Sequence, residues 1–376
     1  MRALAVDTYM AIPLALIRSH RGDVHAEAVF WALRKLGYKA EFWRTHVFPG
    51  REHWSSEISG CGHLRHCIRD SQEVCELPDS RVVWNRRGER LQPPDGLASE
   101  DAVFAEREGR AHVRALERLV APSAFWVNPP EVASTDAYKP LQLHTAAAVG
   151  FPIPATLFSN DPDEIAEFYC RWNRNIVFKC YHGVSWSPEG QDQLKDKKVN
   201  RTVPVSAQDL EQREALAAAP GIFQQRVEKA FELRVTAMGR TLVAARLDSR
   251  AHEATREDWR SGQHLLEIEP FGLPEDVAEK CRCYMRMAGL HFGCFDFIVT
   301  PVGEYVFLEV NQAGQFLWKE ARCPELPMLQ IFCDFLIAAD PDFLWQPREP
   351  EVTFAAYRAS DAGKAFEARM DPAGSA

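Results

Sequence analysis

The sequence predicts an α/β (α+β) protein built from two or three packed units. Three observations carry that reading. A length of 376 residues exceeds what one hydrophobic core usually serves. The first third alternates short apolar runs of strand character with segments of helical period. Near the C-terminus, Cys294–Thr300 and Glu304–Val310 fold back around Pro301-Val302-Gly303 as a hairpin.

The elements follow in order. Ala3–Val6 reads as a short strand. Val24–Leu36 carries Val, Ala, Phe and Leu at helical spacing and stops at Gly37. Lys39–Trp43 and Arg81–Trp84 read as strands. Asp101 to Leu119 is helical, with Val103, Phe104, Val113, Leu116 and Leu119 as its apolar stripe, and Pro122 ends it. A new unit begins near Phe125-Trp-Val-Asn-Pro-Pro130. Ser134 or Thr135 can cap a helix running through Lys139 to Val149, closed by Gly150. Thr156–Phe158 is a strand, Ser159-Asn-Asp-Pro162 opens a helix, and Asn175–Cys180 is a strand containing Lys179. Gly183–Asn200 has the polar composition of a mobile loop. Ile222–Val227, Leu233–Met238 and Thr241–Leu247 are strands, Pro274–Leu290 an amphipathic helix, and Pro327–Ala338 a final helix. The last residues, 346–376, read as a loosely held tail.

Bulk composition narrows the function classes. Apolar content of 46% and charged content of 26% are ordinary for a globular protein. A net charge of −9 opposes a large nucleic-acid footprint, which needs a basic face. No run of about 18 apolar residues exists, so no membrane partner is expected. Met1-Arg-Ala-Leu-Ala-Val-Asp7 meets an acid too early for a signal-peptide core, which places the protein in the cytoplasm. Ten cysteines without framework spacing read as reduced thiols. Cys61-Gly-His-Leu-Arg-His-Cys67 fits neither usual zinc pairing and reads as a surface loop or short helix, with zinc the weaker alternative.

The chemistry concentrates in the hairpin. Strand residues two apart share a face, so Glu309 and Asn311 look one way while Leu308 and Val310 pack on the other. A turn centred near residues 302–303 sets Asp296 opposite Glu309. Phe295 and Phe297 then share one face and Asp296 the other. Each polar residue alone reads as a surface acid or a turn-forming Asn. Together, embedded in apolar strand, Asp296, Glu309 and Asn311 form an oxygen-ligand patch of the kind Mg²⁺ takes alongside substrate phosphates. Lys139, Lys179, Arg234 and Arg246 are candidate cations for those phosphates. Neither a P-loop nor a G-x-G-x-x-G fingerprint is present.

At this point the chain resembles the ATP-grasp carboxylate–amine ligases. The matching residues are Lys139, Asn175-Ile-Val-Phe-Lys179, Phe223-Gln-Gln-Arg-Val227, Glu232-Leu-Arg-Val235, Asp296 and Phe307-Leu-Glu-Val-Asn311. Further phrases resemble the macrocyclising ligases that make graspetides, the microviridin type of ribosomal peptide. These are Phe125-Trp-Val-Asn-Pro-Pro130, Phe151-Pro-Ile-Pro-Ala-Thr156, Ser159-Asn-Asp-Pro162, Phe223 to Lys229, Leu247-Asp-Ser249, Asp258-Trp-Arg260 and Asn311-Gln-Ala-Gly-Gln-Phe-Leu-Trp318. Asp23-Val-His25 and Trp84-Asn-Arg-Arg87 add to the likeness. Two departures stand out: Thr8–Gly22 is a long connection after the first strand, and Asn85 replaces an expected aromatic.

The resemblance implies an ATP-grasp fold with an N-terminal pre-ATP-grasp domain over residues 1–124. A central subdomain would span 125–205 and a C-terminal subdomain 206–345. It implies ATP and Mg²⁺ as cofactors, with Asp296, Glu309 and Asn311 on the metal. Lys139 and Lys179 would contact phosphates or adenine, and Gln225, Arg226 and Val227 would face the adenine. Arg234, Arg246 and Arg260 would act on the phosphoryl group, and the loop after Lys179 would be a lid. The implied partner is a ribosomal precursor peptide, leader plus core, acted on by a homodimer. An Asp or Glu side chain of that peptide would be activated as an acyl-phosphate and joined to a Ser/Thr hydroxyl or Lys amine. Two alternatives remain: an ATP-grasp ligase adding amino acids to a peptide or protein terminus, and a nucleotide-binding module without turnover.

Overall fold

The computed structural model describes residues 14–370 apart from 46, 71–73, 89, 136–137, 182–184, 187–197, 200–201 and 257. The strand expected at Ala3–Val6 lies outside the described residues, as does most of the segment Gly183–Asn200.

The first sheet has four parallel strands, in the order Ala40–Arg44, Ala15–Ser19, Val82–Asn85 and Phe125–Val127. Its first strand therefore falls inside Thr8–Gly22, the stretch read as a long connection. Ala15, Leu16 and Ile17 are fully buried, the continuous apolar run of a parallel strand covered on both faces. The strand leads at once to Asp23, whose carboxylate accepts from the amides of His25 and Ala26 and starts the helix Val24–Lys35. The sheet also continues past residue 124, because Phe125–Val127 is its edge strand. On the far face lies the helix Ser99–Leu119. Only its C-terminal half reaches the sheet: Val113 and Leu116 are buried, whereas Val103 and Phe104 are exposed. Cys61–Cys67 is not a helix. It is the turn and second strand of a hairpin, His53–Ile58 with Leu64–Arg69.

Beyond this unit come a two-stranded ribbon, Ser185–Trp186 with Lys198–Val199, and two larger antiparallel sheets. The smaller runs Thr156–Ser159, Gly221–Gln225, Ile176–Lys179 and Val203–Pro204. Ile165, Phe168 and Tyr169 of the helix Pro162–Arg171 cover it. Gly221–Gln225 thus lies in the small sheet, although the sequence division at 205/206 assigned it to the next unit. The larger sheet has five strands, Ile268–Phe271, Thr241–Leu247, Phe231–Met238, Phe292–Val299 and Tyr305–Asn311. Its period of two is clean. Leu233, Val235, Phe295 and Phe297 face Tyr284 and Met285 of the helix Glu275–Ala288 and Leu143 of the helix Lys139–Ala148. Glu232, Arg234 and Asp296 face the other way. The helix Lys139–Ala148 starts at Tyr138 with no side-chain cap, and Ser134 and Thr135 fall in a separate short helix, Pro130–Thr135.

The C-terminal residues are better held than their Pro- and Ala-rich composition predicts. Phe354–Ala359 and Asp361–Met370 are helices. Phe354 and Tyr357, three apart on one helical face, are both buried, and Tyr357 meets Trp31 of the first helix at 5.8 Å. Trp84, Phe292, Phe316 and Phe332 share one core, so the first sheet and the last third of the chain fold against each other.

His25 marks that junction. Its Nε2 accepts from the amides of Phe316 and Leu317 at 3.1 and 3.2 Å. Burial drives its pKa from 6.5 down to about 3; Arg86 pushes the same way and Asp23 opposes. A base whose folded pKa lies below its unfolded value is protonated first in the unfolded chain. Stability is therefore intact above pH 6.5 and falls on acidification toward the folded value, by about 1.4 kcal/mol per pH unit. Denaturant titrations across that window should show the slope. His25→Gln, which keeps an acceptor but does not titrate, should flatten it; an unchanged slope would clear the histidine.

Candidate active site

The site begins with a bulge. Asp296 pairs with Glu309 and Cys294 with Asn311, but Phe297 pairs with Phe307, leaving Leu308 as the extra residue. This shift lets Phe307 and Val310 both enter the aromatic core while Glu309 and Asn311 face a cavity. Leu308 lines the cavity as well, instead of packing beside Val310 as strict alternation predicts.

The Glu309 strand is the edge of its sheet, and a helix seals it. Lys139 and Gln142, three residues apart, share one helix face. Gln142 donates to the Val310 carbonyl at 2.9 Å and accepts from its amide at 3.1 Å, taking the place of another strand. One turn earlier, Lys139 pairs with Glu309.

The cavity, about 990 Å³, opens between the small and large sheets. Its walls bring together Lys139, Lys179, Gln225, Arg226, Val227, Arg260, Asp296, Glu309 and Asn311. Arg260 bridges the two carboxylates, 2.9 Å from Asp296 and 2.5 Å from Glu309. Burial alone would raise the Glu309 pKa, but Arg260, Lys139 and Lys179 together carry it well below the usual carboxylate range. Lys179 donates to Gln224 at 2.7 Å. Burial lowers its pKa to about 8, with Glu309 opposing and Lys139 and Arg260 assisting.

Two of the predicted arginines stand elsewhere. Arg234 is buried behind the wall and donates to Asp296 Oδ2 at 2.7 Å. Arg246 pairs with Leu233 in register, so it shares that leucine's face of the sheet and points away from the cavity. There it meets Glu269 at 2.9 Å and lies over the Phe231 ring. The period of two could have excluded it, because a strand residue opposite a core leucine faces the core.

The donor set suits a hard divalent ion. Asp296 Oδ2 is held by arginines, while its buried Oδ1 has no hydrogen-bond partner. Among the described residues no group of three or more His, Cys, Asp or Glu is placed to hold an ion. Two carboxylates and an amide are the kind of partial oxygen set that suits Mg²⁺, an ion that usually takes one or two carboxylates and fills the rest of its shell with phosphate oxygens and water.

Sequence reasoning did not single out Glu232, Lys229, Arg250, Arg256 or Gln224, all of which line the cavity. Glu232 was legible, since it shares a strand face with Arg234. It is buried between Lys229 and Ser249, both at 2.6 Å. Two phrases far apart in sequence meet here. Trp259 stacks on Trp318 at 5.1 Å, Asp258 caps the Arg260 amide at 3.1 Å, and Arg260 lies over Trp259.

No family model and no curated protein matches the chain. Solved structures do. The macrocyclase MdnC from Microcystis aeruginosa MRC, bound with precursor peptide MdnA, is 29% identical, with a TM-score of 0.75 over 87% of this chain and 100% of its own. A Chryseobacterium gregarium RiPP-associated ATP-grasp ligase, in complex with ADP and a leader and core peptide, is 27% identical, with a TM-score of 0.75 over 90% and 99%. The macrocyclase MdnB from Microcystis aeruginosa MRC is 27% identical, with a TM-score of 0.70 over 86% and 98%. The chain thus has the ATP-grasp fold, and its likeness to peptide-modifying ATP-grasp ligases extends over most of its length.

Gly314 follows the Asn311 turn at a point of close approach. A Cβ there would lie 2.6 Å from Cys294 Cβ and 2.9 Å from Arg234 Nη2. Gly314→Ala should cost about 1–3 kcal/mol in chemical denaturation. An unchanged midpoint would show that the turn has room to move.

Proposed function

We infer that this chain is an ATP-dependent, ADP-forming ligase that cross-links side chains of a ribosomal precursor peptide, a maturase of the graspetide kind. A carboxylate oxygen of a peptide Asp or Glu attacks the γ-phosphorus of ATP, and the bond to the β,γ-bridging oxygen breaks, releasing ADP. A Ser/Thr hydroxyl or Lys amine of the same peptide then attacks the acyl carbon. It loses its proton as phosphate leaves, closing an ω-ester or ω-amide ring.

The observation that carries this reading is the pairing of Asp296 with Glu309 across the hairpin under Arg260, Lys139 and Arg234. In this proposal Asp296, Glu309 and Asn311 hold Mg²⁺, which neutralises phosphate charge when bound. Lys139 and Lys179 meet the phosphates, and Gln225, Arg226 and Val227 border the base. Arg260 stabilises the phosphoryl group in transfer. Arg234 acts through Asp296, holding its Oδ2 and leaving Oδ1 without a protein partner. Arg246 has no part in the reaction. The small sheet and the large sheet serve as the two jaws, with the first sheet's unit beside them. The Chryseobacterium ligase, seen with ADP and peptide, and MdnC, seen with its precursor, support both the nucleotide and the peptide.

Incubation with ATP, Mg²⁺ and candidate Thr-, Glu-, Asp- and Lys-rich peptides should give peptide-dependent ADP and a product lighter by one water per ring. A product heavier by an amino-acid residue would instead mark a terminal ligase, and no ADP under any Mg²⁺ condition would sink the proposal. Glu309→Gln should lower turnover by on the order of 100-fold or more with the circular-dichroism spectrum unchanged. Normal ligation by that variant would overturn the metal assignment. We also propose a cytoplasmic homodimer; light scattering should return twice the chain mass.

A further inference from the structure

Beneath the Asp296–Arg234 pair lies a lysine that the proposed reaction does not use. Lys319 sits in the short helix Leu317–Arg322 with its side chain entirely buried. Its ammonium donates to Thr236 Oγ1 at 2.7 Å and lies 3.5 Å from the Val243 carbonyl. Among the described residues no carboxylate pairs with it. A buried cation without a carboxylate is costly, and an apolar side chain of similar length would pack there more favourably.

Its surroundings connect it to the site. The Arg234 strand presents Arg234 and Thr236, the Asp296 strand presents the Cys294 thiol and Asp296, and the Thr241–Leu247 strand presents the Val243 carbonyl. Thr236 Oγ1 is 3.5 Å from Cys294 Sγ, and the Cys294 carbonyl accepts from Arg234 Nη1 at 3.4 Å. The same Nη1 reaches Asp296 Oδ2 at 2.7 Å. Lys319 and Arg234 carry like charge in a region that salt does not screen, so each excludes the other.

We propose that Lys319 is a positioning residue: its interior ammonium keeps the Arg234 guanidinium on Asp296 and adds fixed positive charge below the nucleotide phosphates. The inference rests on the ligase reading of the cavity. Burial lowers the Lys319 pKa to about 7, Arg234 assists, and Cys294 and Asp296 oppose. The charge is therefore present below neutrality and lost above it.

The test is calorimetric binding of ADP with Mg²⁺ to the full chain, at about pH 6 and about pH 8, for the parent, Lys319→Met and Thr236→Val. The parent-to-variant ratio cancels titration of the nucleotide and of Lys179. At the lower pH, Lys319→Met should bind roughly tenfold more weakly, and the gap should close to roughly twofold at the higher pH. Its melting temperature should not fall. Thr236→Val should show a smaller deficit, roughly threefold at the lower pH. Equal affinity at both pH values, or the same deficit at both, would overturn the inference. Should Lys319→Met fail to fold, parent-like affinity and pH dependence in Thr236→Val would overturn it equally. A parent that binds no nucleotide would sink the ligase reading, and this inference with it.

Discussion

The site is organised around two carboxylates placed opposite each other on neighbouring strands. Like charges in that position repel, and partial burial removes the water that would soften the repulsion. Cations from three different parts of the chain answer this constraint. Arg234 comes from the adjacent strand, Arg260 from the segment after the next, and Lys139 from the helix that seals the sheet edge. Arg260 touches both carboxylates, so one guanidinium offsets much of their mutual repulsion. The convergence of helix, sheet and connecting segment on one cavity follows from seating Asp296 and Glu309 side by side.

The first sheet's unit then fixes the ends of the hairpin that carries them. Arg86 donates from Nε to Asp23 Oδ2 at 2.9 Å and from Nη1 to the Ala313 and Gly314 carbonyls. His25 accepts the next amides along the chain. Asn128, just past the edge strand of the first sheet, accepts from the amides of His291 and Phe292 and donates to the Phe292 and Gln312 carbonyls. One asparagine therefore ties the start of the Asp296 strand to the end of the Glu309 strand. Holding supporting backbone on rigid elements is what keeps ligand oxygens in place. The phrases Asp23-Val-His25, Trp84 to Arg87 and Gln312 to Gln315 are thus contacts of one junction, although some 290 residues separate His25 from Phe316.

What the sequence made legible follows from what short-range periodicity can carry. The hairpin and the inward face of Phe295 and Phe297 are products of the period of two, whereas the Asp296–Glu309 pairing also needs the bulge, since the Val299–Tyr305 register alone would set Asp296 opposite Leu308. The helix bearing Lys139 is legible for a similar reason, although its pairing with Glu309 is a tertiary fact. The first strand was not legible: Ala15–Ser19 precedes a helix cap with few intervening residues, and the equally apolar Ala3–Val6 competed for the assignment. The terminal helices were missed because composition weighed more than the spacing of Phe354 and Tyr357. The bulge at Leu308 leaves no local signal, since it arises from fitting Phe307 and Val310 into one core. Arg246 shows the opposite failure. Its charge invited a role that its register with Leu233 excludes.

The cations of the cavity fall into two kinds under the proposed function. Lys139 and Arg260 neutralise Glu309, and Arg260 shares Asp296 with Arg234. A divalent ion held by those carboxylates would supply the same neutralising charge. Lys139 and Arg260, on long side chains at the cavity wall, would then be free to turn toward phosphate oxygens. Arg234 differs, because its burial and the close approach of Gly314 leave it no such freedom. Of the three cations that touch the carboxylates, the arginine behind Asp296 is therefore the fixed one, while Lys139 and Arg260 are exchangeable. That division matches their placement: the exchangeable cations line the cavity wall, and the fixed one lies behind it.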